Sequence, residues 1–163
     1  MELTQEKIKK LFWYDAESGG LYWRCSLNNY IKPWSKAGKV TGHGYIQVHA
    51  HKKVHQAHRI AFLYAYGYLP KQVDHINGVR TDNRLKNLRA ATNSQNGMNR
   101  GVQANNISGY KGVTFHKKVG NFQARICVGG VIKSLGFFKD AKEAHNAYVK
   151  AAGELHGQFA RFQ

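Results

Sequence analysis

The sequence predicts an α+β chain in two parts: a mixed segment of short strands and helices, then a small three-stranded antiparallel sheet packed on one helix. Three observations predict it. The apolar residues Ala57, Ile60, Ala61 and Tyr64 recur at helical spacing, whereas Phe122, Ala124, Ile126 and Val128 alternate strictly with more polar neighbours. Between these patterns, residues 101–108 are polar and carry Asn105, Asn106 and Ser108, as a linker would. With 163 residues the chain can form one medium domain or two small ones, and 42% apolar content is enough for a core.

Each element follows from local signals. Leu3 to Phe12 reads as a short helix with Thr4 as its N-cap. Leu21 to Arg24, after the Gly19-Gly20 turn, and Gly44 to His49 read as strands. A helix is expected from His55 to about Tyr66, ended by Gly67 and Pro70. Val73 to Ile76 is extended and runs into the turn dipeptide Asn77-Gly78, with Leu85 to Ala90 as the returning strand. Thr92 then caps a polar helix reaching about Asn99. Past residue 109, the strand from Phe122 to Val128 turns at Gly129-Gly130 and returns as Ile132 to Phe138. Asp140 and Glu143 have capping-box spacing, and Ala141, Ala144, Tyr148, Ala151, Ala152 and Leu155 mark the buried face of a helix ending at Gly157. The expected organisation is a β-rich N-terminal extension at 1–50, a central segment at 51–100, a linker at 101–108 and a C-terminal domain at 109–163. Trp13, Trp23 and Trp34 are expected to mark a core, and residues 1–40 either brace the central segment or touch its partner.

Charge narrows the partner. Lys and Arg number 25 against 9 acids, a formal net charge of +16 that runs through the whole chain rather than one tail. Such an imbalance calls for a polyanion, and its spread fits a long bipartite contact with a phosphate backbone. No apolar run approaches the roughly 18 residues of a membrane span, and the N-terminus has no signal-peptide pattern. Cys25 and Cys127 stand far apart, which excludes a CxxC-based structural zinc site and a disulfide framework and fits a reducing, cytoplasmic setting. Histidines 43, 49, 51, 55 and 58 have no thiolate or carboxylate among them, so no structural zinc is expected there.

The densest chemistry lies in Val73-Asp-His-Ile-Asn-Gly78, Asp82-Asn83, Asn87-Leu-Arg89, Thr92 and Asn96. Phosphodiester cleavage needs a nucleophilic water, a cation against phosphate and leaving-group charge, and a frame holding both in line. Asp and Asn oxygens are hard ligands suited to Mg²⁺, and neutral His is the natural base near pH 7. Asp74 and His75, adjacent on an extended segment, leave on opposite sides, so one can face a metal and the other an attacking water. Asn77, Gly78, Asp82 and Asn83 read as turn formers. Arg89 braces the loop or clamps the scissile phosphate. Arg84, Lys86 and Arg100 are backbone contacts to DNA or solvated charge.

This pattern, with Gly44-Tyr45 and His58-Arg59-Ile60-Ala61 upstream, resembles the HNH endonucleases of the ββα-metal fold, especially phage and intron-encoded homing enzymes, over roughly residues 40–100. The resemblance implies a catalytic set of His75 as general base, Asn87 bracing the base and its loop, and Arg89. It implies Asp74 and Asn96 as ligands of one divalent ion per active site. Asn96 stands where many members have His, and an all-oxygen pair favours Mg²⁺ or Mn²⁺.

Ser108-Gly-Tyr-Lys-Gly-Val113, Leu135-Gly-Phe-Phe138, Glu143-Ala144, Ala147-Tyr148, Ala151-Ala152 and Gly157-Gln-Phe-Ala160 resemble the APETALA-type (AP2/ERF) DNA-binding domain of plant transcription factors. That likeness implies a sheet lying in the major groove with the helix behind it. Lys111, Thr114, His116, Lys118, Gln123 and Arg125 would face DNA. Thr114, His116 and Ser134 replace Arg and Trp contacts of that family.

Together the resemblances imply a homing or mobile-element endonuclease hydrolysing phosphodiester bonds in duplex DNA, inside a bacterial or phage-infected cell. Its partner is double-stranded DNA, with no membrane and no obligate protein partner, as a monomer that nicks or a homodimer. The alternative from another class is a sequence-specific DNA-binding regulator with a vestigial nuclease centre. The intact Asp74, His75, Asn87 and Asn96 argue against it. An RNA-binding role accounts for the charge but for neither motif.

Overall fold

The computed structural model describes residues 3–162. The chain forms two compact units, one up to Ala91 and one from Thr92 on, a division that falls ahead of the polar stretch 101–108.

In the first unit, the Thr4 hydroxyl accepts a hydrogen bond from the Lys7 amide and caps α1 (Gln5–Leu11). Phe12, expected as the last helical residue, instead pairs with Trp23 and opens a hairpin of β1 (Phe12–Tyr14) and β2 (Leu21–Trp23). β3 (Lys39–Val40), β4 (Ile46–Ala50) and β5 (Lys53–Gln56) form an antiparallel sheet in that order. β5 includes His55, where the sequence predicts helix. The cause is a two-residue turn at His51 and Lys52, both with positive φ (50° and 61°), which carries the chain back along β4 without any glycine. α2 (Ala57–Tyr66) follows and ends at left-handed Gly67. β6 (Gln72–His75) pairs with β7 (Leu88–Ala91). The expected strand from Leu85 begins as a 3-10 turn, Leu85–Asn87, and becomes extended only at Leu88.

One core unites these pieces: Ile8, Leu11, Phe12, Tyr14 and Trp23 are buried together with Ile60, Phe62 and Leu63 of α2, Val73 of β6 and Leu88 of β7. The described residues of this stretch, 3–40, thus brace the central segment. Of the three tryptophans only Trp23 is buried; Trp13 and Trp34 are 44% and 63% exposed. Strand alternation sends Trp13 outward between buried Phe12 and Tyr14. Trp34 sits in a loop at φ 66°.

The second unit opens with α3 (Asn93–Met98), closed at its start by a reciprocal capping box between Thr92 and Gln95. β8 (Val113–His116), β9 (Asn121–Val128) and β10 (Val131–Phe138) make an antiparallel sheet with β9 in the centre. Gly129 and Gly130, both at positive φ, make the hairpin turn. Between Ser134 and Gly136 the register shifts, and Leu135 is the additional residue of a β-bulge. α4 (Ala141–His156), capped by Asp140, covers one sheet face. Val113, Ala124 and Ile126 pack there with Ala144, Tyr148 and Ala152. Gly112, at φ 75°, lies against the Tyr148 ring so closely that a Cβ would overlap it. Leu155, expected on the buried face, is 44% exposed; His156 takes that place, its Nε2 3.0 Å from the Cys127 carbonyl. Among the described residues no helix is long and apolar enough to cross a membrane.

Candidate active site

The register of β6 and β7 builds the centre, setting Asp74 opposite Arg89 and His75 opposite Leu88. Asp74 and His75 are both buried, 4% and 5% exposed. Asp74 Oδ2 accepts from Arg89 Nε at 2.9 Å and lies 2.8 Å from Nη2, with both side chains shielded from water. Arg89 therefore neutralises the neighbouring carboxylate, a partner that neither sequence alternative named. His75 engages a different residue: its Nε2 lies 3.0 Å from Asn83 Oδ1. With that amide oxygen as acceptor, Nε2 carries the ring proton and Nδ1 the lone pair. Burial holds His75 below the ordinary imidazole range, against the opposing pull of Asn83, Asp74 and Asp82. The ring is therefore neutral at physiological pH.

The intervening loop is fastened at both ends. Asn87 Oδ1 accepts from the Asn77 amide at 3.0 Å, and its Nδ2 donates to the Asp82 carbonyl at 2.8 Å. Asn77 holds the turn through Val79 N–H and donates to Asp82 Oδ2. Arg84, expected toward DNA or water, is committed to Asp82 through Nε and Nη2 at 2.7 and 2.6 Å, and that guanidinium drives the Asp82 carboxyl well below its usual range. Asn83 departs from the turn-former reading: it is 2% exposed and its side chain is spent on His75.

An aromatic wall packs against the His75 ring. His58 lies edge-on to His75 with ring centroids 4.9 Å apart, and Tyr45 packs against both at 5.4 and 6.1 Å. Arg80 stacks over Tyr45 and donates to the His43 carbonyl. His58 is buried, its Nδ1 has no hydrogen-bond partner, and burial pushes its pKa down to about 3, so it stays neutral.

A sequence model described as HNH endonuclease matches residues 55–98, the span holding His58, the loop and the strand pair. The chain is also 34% identical over 102 residues to Protein 3.8 of Escherichia phage T7, covering 61% of this chain and 83% of that protein. This chain belongs to the HNH endonuclease family. No solved structure matches it.

The other residues expected at the site lie elsewhere on the fold. Asn96 is half-buried on α3, in the second unit, one turn after the Thr92 cap, whose carbonyl accepts its amide at 3.0 Å. Lys86 and Arg100 are exposed. Among the described residues, no three His, Cys, Asp or Glu side chains gather as ligands. A carboxylate and an amide oxygen, the donor types expected of Asp74 and Asn96, suit a hard cation that keeps most of its shell for water and phosphate.

In the second unit the face of the sheet away from α4 carries Thr114, Gln123 and Phe137 side by side, with Arg125 opposite Ser134. Gln123 Nε2 donates to Ser134 Oγ at 3.2 Å, and His116 meets the Phe137 ring edge-on. Thr114, Arg125 and, in the following turn, Lys118 are exposed. Lys111 does not join them. Its Nζ donates to the Met98 carbonyl at 2.5 Å beside the Tyr148 ring, and burial lowers its pKa to about 8. Sequence reasoning missed Asn83 and the Asp74–Arg89 pair. Both lay within the quoted motif, but no letter pattern separates them from turn or phosphate roles.

Proposed function

We propose that this protein is a metal-dependent endonuclease of homing or mobile-element type that hydrolyses phosphodiester bonds in duplex DNA. The carrying observation is His75: buried, neutral and turned by Asn83, it is adjacent in sequence to the acidic Asp74 within the span matched by the HNH family. A neutral imidazole with Nδ1 as acceptor can take the proton of an attacking water. Asn87 keeps the loop closed around it. Asp74 and Asn96 would hold one Mg²⁺ or Mn²⁺. When bound, the cation supplies charge neutralisation on the phosphate and leaving oxygen, giving 5′-phosphate and 3′-hydroxyl ends. The exposed face of the C-terminal sheet, with Thr114, His116, Gln123, Arg125 and Lys118, would read duplex DNA in the manner of an APETALA-type domain, with Lys86 and Arg100 on the backbone. Its net charge of +16 suits that partner.

The test is nicking of supercoiled plasmid in Mg²⁺. His75→Ala should abolish cleavage while duplex binding persists; cleavage that survives removes His75 as the base. One observation favours a second reading, a DNA-binding regulator with a vestigial centre: Arg89 already occupies Asp74 Oδ2. Wild-type cleavage that a chelator stops would exclude it.

A further inference from the structure

We propose that the N-terminal β1–β2 hairpin is the positioning device for the base, acting through Asn83 to fix which nitrogen of His75 carries the proton. The inference rests on the reading of His75 as the base, although its first test does not require cleavage.

Four contacts support it, three of them wholly outside the strand pair that carries Asp74 and His75. The Asn83 side chain binds His75 Nε2, while its backbone carbonyl accepts a 2.7 Å hydrogen bond from the Tyr14 hydroxyl, a buried bond spanning 69 positions of chain. The Leu85 amide donates to the Ala16 carbonyl at 3.1 Å. Gly19, at φ 73°, lies so near that a Cβ there would stand 2.5 Å from Asn83 C and Arg84 N. Three consecutive residues, 83 to 85, are thus gripped by one hairpin. The grip is preorganised. Asp15 accepts from the Glu17 amide and the Ser18 hydroxyl, Ser18 Oγ accepts from the Gly20 amide, and Asp15 and Gly20 pair through the backbone, so the loop keeps its shape by its own bonds. Tyr14 is fixed edge-on against Tyr64 of α2, which ties the hydroxyl to the core.

The chemistry makes this matter. A neutral imidazole has one N–H and one lone pair, and the nitrogen facing an acceptor takes the hydrogen. An acceptor held at Nε2 leaves the lone pair on Nδ1. A displaced acceptor lets the tautomers mix, and the fraction with N–H toward the water cannot accept its proton. Asn83, Tyr14 and Gly19 are therefore positioning residues.

The test uses ¹⁵N-labelled full-length protein without metal or DNA, at a pH where His75 is neutral, reading its tautomer from long-range ¹H–¹⁵N spectra. Wild type should show the Nε2–H form. Asn83→Leu, similar in shape but without an acceptor, should move His75 toward mixed tautomers, and Asn83→Asp should restore Nε2–H. Tyr14→Phe, the milder variant should Asn83→Leu fail to fold, should shift the signals the same way. In plasmid cleavage it should lower kcat roughly 10- to 100-fold with KM little changed, the range typical of groups that orient a reactive ligand. Should Tyr14→Phe lower the melting temperature but leave the tautomer and kcat at wild-type values, the hairpin is scaffolding only and the proposal is overturned. A locked Nε2–H form in a protein that cuts no DNA would support the positioning device while refuting the nuclease reading.

Discussion

Arg89 and Asp74 show how one residue pair decides two properties. A carboxylate this buried, beside a guanidinium this shielded, depends on its partner: removing one member of such a pair typically costs about 3–5 kcal/mol, because the other charge stays in low dielectric. Arg89→Ala should therefore unfold at markedly lower urea in EDTA. If Asp74 is a metal ligand, Mn²⁺ should restore part of the loss, more than it stabilises wild type. A loss identical with and without metal would take Asp74 out of the ligand set. The nearby Arg84–Asp82 pair looks similar but has a guanidinium 41% exposed, so Arg84→Ala should shift the urea midpoint far less than Arg89→Ala. At this scale the sequence made Asp74 and His75 legible as a carboxylate beside an imidazole, and Asn87 only through the family resemblance. It hid the role of Asn83, since Asp82-Asn83 has the letters of an ordinary turn and the partners that redefine it, His75 and Tyr14, are brought in only by folding.

At the scale of elements, α2 carries a pH liability near its start. His58 is buried and neutral, with its pKa held at about 3. The unfolded chain takes up that proton near 6.5 and the folded one does not, so between those values the unfolded state binds more protons. Stability is full above about 6.5 and falls by about 1.4 kcal/mol for each unit of acidification toward 3. Urea midpoints from pH 7 to pH 4 should follow that slope. His58→Phe should flatten it without abolishing it, because burial shifts His75 and His55 in the same direction; an unchanged slope would mean that His58 is protonated in the fold. Elements with strong periodicity were legible: the alternation of β9 and the spacing of α2 both appear where expected. The β4–β5 hairpin was not, because His51-Lys52 adopts a conformation normally announced by Asn or Gly. The end of α4 was misassigned by one position, since Leu155 and His156 both lie about two turns beyond Tyr148 and composition favours the leucine.

For the whole molecule the governing quantity is charge. Affinity for duplex DNA should fall with salt by about 0.9 log unit per log salt for each phosphate neutralised. Arg125 is exposed and opposite Ser134 on the outer sheet face, so Arg125→Ala should weaken duplex binding and leave the melting temperature unchanged. Should Arg125 touch phosphate, the salt slope also drops by about one. Unaltered binding in both Arg125→Ala and Gln123→Ala would mean that this sheet is not the reader. That outer face carries a last consequence in the bulge at Leu135. Everywhere else in β10, losing one residue would swap inside for outside along the rest of the strand. Here Ser134 and Gly136 already oppose neighbouring residues of β9, so shortening the chain by Leu135 would leave each remaining side chain on its present face. The strand therefore has a single position where its length can change while the surface it offers to a ligand stays the same.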